Sequence, residues 1–236
     1  MFLKLLIRKE GVIYHGGLLR FFHGFRVKET LQAKYHFPVA ALNDGKAAAL
    51  AELATGHLKG VTNGAALVLG SGLGGGIIIN GKLFQGSHFQ AGELTFLLPL
   101  QMEKLDPSLM QGTTLSAVGL ITKVNEILAS LDLKDGLLAF KAINAKKEAV
   151  YPIFETYCRN LAITILNLQT IFDMETFVLG GGISAQSILI EKVNRQFDKV
   201  HHEIDFIGKI IKRPKIVACH HNGTNLIGAA YFLKQG

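Results

Sequence analysis

The chain has 236 residues, 49% of them hydrophobic and 18% charged, with a formal net charge of +7. That composition excludes a disordered chain and supplies core enough for one large domain or two modest ones. No apolar run approaches the ~20 residues that cross a bilayer, and "MFLKLLIRKEG" has neither a long apolar region nor a small-residue cleavage site, so neither a membrane span nor a signal peptide is expected.

In chain order, "KEGVIYHGG" (residues 9–17) predicts a short strand ending in a turn, and residues 26–36 predict a helix with Val27, Leu31 and Tyr35 on one face. Pro38 blocks helix, so residues 39–42 predict a buried strand. Capping-type residues Asn43 and Asp44 then open a helix rich in alanine. "GAALVLGSGLGGGIIINGKLFQG" predicts a β-meander, with Asn80 and Gly81 as a two-residue hairpin turn. Residues 115–131 and 152–172 have the apolar spacing of amphipathic helices, and Asp173 marks the exit of the second. "TFVLGGGISAQSILIEKVNRQF" predicts strand, glycine turn and helix. "KIVACHHNGTNLIGAAYFL" predicts a last strand, a polar turn over residues 220–225 and a terminal helix.

Cys158 and Cys219 have no CxxC spacing, which fits a reducing cytoplasm and excludes a disulfide framework. Lysines are scattered except in "KIIKRPK" (residues 209–215), which predicts a solvated basic loop rather than a nucleic-acid surface.

The glycines of "GSGLGGG" could bare backbone N–H groups to a phosphate, with Ser71 adding a hydroxyl, or could simply allow a tight hairpin to pack. "FVLGGGIS", between strand and helix, sits where ligands meet the carboxyl ends of strands, or where strand and helix pack closely. Asn43 and Asp44 are an N-cap, or a carboxylate and amide facing adjacent hydroxyls. Glu93, after Gly92, is a solvated turn residue or an acceptor for paired sugar hydroxyls.

Taken together, "LND", "GSGLGGGIIINGKLFQG", "AGEL", "FVLGGGIS" and the terminal "NLIGAA" resemble, in order and across nearly the whole chain, the ROK family of sugar kinases and sugar-responsive repressors. The resemblance implies an α/β, actin-like and hexokinase-like ATPase fold built from ribonuclease H-like domains. Residues 1–62 would be the remnant of an incomplete small N-terminal domain with a connecting helix. Residues 63–236 would form the large domain, with a terminal helix over about 223–235 packing back on the small one.

It further implies Asp44 as the base that activates a sugar hydroxyl, and Asn43 and Glu93 as sugar ligands. Gly70, Ser71, Gly72, Gly74 and Gly75 would face the phosphates of ATP, and Gly180, Gly181 and Gly182 would lie against adenosine. Mg²⁺ would arrive on the nucleotide. The expected setting is a cytoplasmic homodimer, with sugar and ATP as partners and neither membrane nor nucleic acid.

The chain departs from the family pattern at three places. The Asp-x-Gly-Gly-Thr strand is missing, which implies that the chain enters the pattern partway through the small domain. "LLPLQMEKLDPS" stands where the zinc-binding Cys-x-Cys-Gly-x-x-Gly-Cys would be, and Phe96 replaces the histidine of GExxH, which implies a zinc-free branch. Leu42 and Gly45 replace the usual glutamate and alanine around Asn43 and Asp44. The readings are therefore a glucokinase-like kinase of a hexose or N-acetylhexosamine, or a catalytically inactive, truncated sugar-binding or regulatory relative. A transcriptional regulator would need a helix-turn-helix, for which residues 1–40 hold no convincing pattern.

Overall fold

The structure, a computed structural model, describes residues 6–7, 11–14, 20–98, 104, 106–220 and 225–235. Two short strands, β1 (Leu6–Ile7) and β2 (Ile13–Tyr14), pair antiparallel ahead of α1 (Val27–Tyr35), which buries none of its residues. Val12 also bridges to Arg26, and residues 9–10 and 15–17 of the prediction lie outside the described residues. Residues 39–42 do not form the predicted strand. They run half-buried, with Leu42 packed against the cluster that holds Leu50, Leu53 and Leu58, and pair with none of the described strands.

Next come α2 (Asp44–Thr55), β3 (Gly64–Leu69), β4 (Leu73–Ile79) and β5 (Lys82–Phe84). The predicted meander forms: β3, β4 and β5 pair antiparallel in sequence. Asn80 and Gly81 turn the second hairpin with φ of 52° and 68°, the left-handed pair that matches strand twist.

The chain then crosses through α3 (Gln111–Thr114), α4 (Ala117–Ile127), α5 (Gly136–Asn144) and α6 (Tyr151–Phe172). Asp173 ends α6 at φ 48°, as its place in the sequence predicts. After β6 (Thr176–Gly180) come a 3-10 turn (Gly182–Ala185), α7 (Ser187–His202), α8 (Asp205–Ile210), β7 (Lys215–Ala218) and α9 (Asn225–Gln235). Residues 221–224 of the polar turn lie outside the described set.

The five-stranded sheet has the order β5-β4-β3-β6-β7, with β3, β6 and β7 parallel. Helices cover both faces, so β3 and β6 read as near-continuous apolar runs. Alternation still sorts their side chains. Ala65, Leu67, Leu69, Phe177 and Leu179 face a large core under α4 to α7. Ala66, Ile78 and Val178 face the other way, against Leu50 and Leu53 of α2 and Tyr231 and Phe232 of α9. The terminal helix therefore packs along α2, and this layer presents the N-terminus of α2 to the edge of β4. Among the described residues no helix is long and apolar enough to cross a membrane.

Candidate active site

Asn43 has extended backbone (φ −64°, ψ 146°), and its Oδ1 accepts the Gly45 N–H at 2.9 Å, so it caps α2. Asp44 Oδ1 accepts the same N–H at 2.8 Å while its carboxylate remains exposed. The cap reading of Asn43 is thus met by the structure, and Asp44 is the first helical residue, facing solvent.

Three glycine backbones converge beside it. A Cβ on Gly45 would stand 2.6 Å from the Gly75 nitrogen, and one on Gly92 would stand 2.6 Å from the Gly75 oxygen. Side chains at these positions would force the elements apart, so bare backbone lets α2, β4 and the loop before Glu93 meet. This contact places Asp44, next to Gly45, and Glu93, next to Gly92, on either side of β4. Thr95 Oγ1 also donates to the Leu73 carbonyl at 2.9 Å, tying the turn after Glu93 to the start of the same strand. Gly75 is buried and Gly74 half-buried, and the role visible for Gly75 is this close packing.

The β3–β4 turn is not sealed inside the protein: Ser71 is exposed, and Gly70 and Gly72 are half-buried. The Gly70 N–H donates to Gly72 O at 3.0 Å, and Gly70 O accepts the Ala117 N–H of α4 at 2.9 Å. Gly70 thus fixes the turn, and the outward backbone is that of Ser71 and Gly72.

Beyond β6, Gly181 has φ 99° and ψ 171°, and a Cβ there would lie 2.1 Å from Leu69 O. Gly180 is buried at the strand end; Gly182 has no atom within 4 Å of where a Cβ would stand. Gly70 and Gly182 share the wall of a cavity of about 520 Å³ with Val118, Ile121, Lys134 and Gly136. It lies at the carboxyl ends of parallel β3 and β6, where ligands bind in open α/β sheets. Its lining is mixed: Val118, Ile121 and Phe140 are apolar, Lys134 lies among Asp132 and Asp135, and Gly182 is bare backbone.

The structure therefore gathers the predicted residues into two groups, one around Asp44 and Glu93, the other around Gly70 and Gly182. From Gly72 to Gly75 is three residues of strand, about 10 Å, so the hairpin joins them. His88 is exposed. Among the described residues no group of three or more His, Cys, Asp or Glu is placed to hold a metal ion. Sequence reasoning missed the cavity's wall from α4 (Val118, Ile121) and from the turn before α5 (Lys134), because these come from a segment without motif. It also missed Lys46, whose signal was present: a lone cation on the face of α2 that carries Ala49, Leu50 and Leu53 inward.

Comparison with known proteins places the chain in a family. The sequence profile described as "ROK family" matches residues 5–236. A beta-glucoside kinase of Listeria innocua is 30% identical over 233 residues, covering 96% of this chain and 75% of that protein. An N-acetyl-D-glucosamine kinase of Vibrio cholerae is 29% identical over 227 residues, covering 89% of this chain and 71% of the relative. The crystal structure of a ROK family protein from Streptococcus pneumoniae in complex with sucrose superposes with a TM-score of 0.82 at 29% identity, covering 98% of this chain and 77% of that one.

Proposed function

The chain belongs to the ROK family, and from that premise we propose that it transfers the γ-phosphoryl group of ATP to a hydroxyl of a hexose or N-acetylhexosamine. The observation that carries this reading is the single hairpin whose turn borders the Gly182 cavity and whose next residues touch the backbones beside Asp44 and Glu93.

In this reading adenosine lies in the cavity against Gly182, with Gly180 and Gly181 forming the packed turn behind it. The triphosphate runs along Gly70, Ser71, Gly72 and Gly74, while Gly75 holds α2 against the strand. Mg²⁺ arriving on the nucleotide would neutralise phosphate charge. Glu93 accepts hydrogen bonds from sugar hydroxyls, and the Asn43 amide donates to a neighbouring one. Asp44 takes the proton of the attacking hydroxyl as its oxygen bonds to phosphorus and the bond to the ADP oxygen breaks. A carboxylate fixed at a helix start keeps its aim without moving at the moment of reaction, so positioning supplies much of the rate.

We place the boundary between a small and a large domain near residue 62, in a cytoplasmic homodimer. Exposed Phe21, Tyr35 and Phe37 beside α1 supply apolar surface for association. A compact monomer in sedimentation at micromolar concentration would count against the dimer.

The test of function is coupled ATP consumption over a panel of hexoses and N-acetylhexosamines. Sugar-dependent turnover is expected. ATP and sugar binding without turnover would favour the inactive relative, and binding of neither would overturn the assignment.

A further inference from the structure

Lys46 is among the largest fully buried side chains of the described residues, at 2% exposure, two residues after Asp44 in the first turn of α2. Both features work against a cation. Burial strips its water, and the first turn of a helix repels positive charge. Its ammonium donates to the Phe89 carbonyl, a charge-assisted bond. Phe89 itself has φ 60°, a left-handed backbone that an aromatic residue rarely adopts. Two unfavourable features are thus coupled through one hydrogen bond, in the loop that ends at Glu93.

That loop closes on itself: Ala91 N–H donates to Gln85 O at 3.1 Å, and Glu93 N–H to Gln90 O at 3.2 Å. Its far end is seated on β4 by the Gly92 contact and by Thr95. Its near end is tied to α2 by Lys46. We infer that Lys46 is a positioning residue that holds the 86–92 loop over the first turn of α2, and so sets the Glu93-to-Asp44 spacing that the sugar must fit. This rests on the sugar-kinase reading for its functional half; the loop clamp stands independently.

The experiment compares the full chain with Lys46→Met and Lys46→Arg. In Lys46→Met, KM for the sugar should rise at least tenfold, KM for ATP should stay within twofold, and amide exchange over residues 86–93 should quicken at least tenfold while β3 and β6 keep wild-type rates. Lys46→Arg, which still donates, should recover sugar KM towards wild type. Lys46→Leu, which likewise cannot donate, replaces Lys46→Met where that variant does not fold, with the same outcome expected.

A merely structural lysine would raise both KM values and loosen β3 and β6 together, and that result overturns the inference. So does loop exchange at the wild-type rate. Should the wild type phosphorylate no sugar, the kinase reading falls, and the exchange measurement alone decides the clamp.

Discussion

Gly181 and Gly182 are chain neighbours with opposite surroundings, which makes alanine at each a sharp test of the site's construction. At Gly181 an added Cβ would lie 2.1 Å from Leu69 O, 2.8 Å from Leu69 C and 3.0 Å from Leu69 N. All three are backbone atoms at the end of the buried central strand, so none can swing aside. The φ of 99° with ψ 171° is a region open essentially to glycine alone, costing about 1–3 kcal/mol for another residue. Overpacking adds about 1–3 kcal/mol. Gly181→Ala should therefore cost about 2–6 kcal/mol, a large share of the roughly 5–15 kcal/mol that holds a domain folded.

Urea unfolding reads this directly. With a slope of about 3 kcal/mol/M, the midpoint should fall by about 0.7–2 M. Gly182→Ala meets nothing within 4 Å and should stay within about 0.5 kcal/mol of wild type, while ATP affinity drops because the new methyl projects into the cavity. Equal stability for Gly181→Ala and wild type, or equal losses for the two variants, would refute this account of the turn.

Two further outcomes follow from the same geometry. Asn43→Asp keeps an oxygen for the Gly45 N–H but loses the amide donor, so its stability should stay within about 0.5 kcal/mol of wild type while sugar KM rises at least tenfold; an unchanged KM would leave Asn43 a cap and nothing more. Burial pushes the Cys158 thiol well above its ordinary range, and Cys219 is half-exposed with its Sγ 3.5 Å from Ser184 Oγ beside the glycine turn. Alkylation of the native chain at pH 8 should thus modify Cys219 first, more slowly when ATP is present, and Cys158 only on unfolding; early labelling of Cys158 would contradict its place in the core.

What was legible in the sequence was whatever depends on local chemistry. The Asn80–Gly81 turn, the Asn43 cap and the strand–glycine–helix unit at residues 176–202 each declare themselves within a few residues. Residues 39–42 misled because an apolar run after proline can be half-buried without any strand edge to pair with. The α5 helix, with its cap at Asp135, lay in a stretch without motif and went unpredicted. The GSGLGGG run shows the harder limit. Sequence offered a phosphate cradle or a packing bend, and the structure divides the run: Ser71 and Gly72 face outward, whereas Gly75 is crowded by Gly45 and Gly92. Such a division depends on contacts between residues dozens of positions apart, which no local pattern records.

The most direct measurement of the central claim is formation of sugar phosphate by wild type and by Asp44→Asn, followed by mass at saturating ATP and sugar. Asparagine keeps the size and the hydrogen bond to Gly45 but cannot take up the hydroxyl proton. The account predicts product from the wild type and a rate about 10²- to 10⁴-fold lower for Asp44→Asn, with ATP affinity unchanged. Equal rates from the two proteins would contradict it.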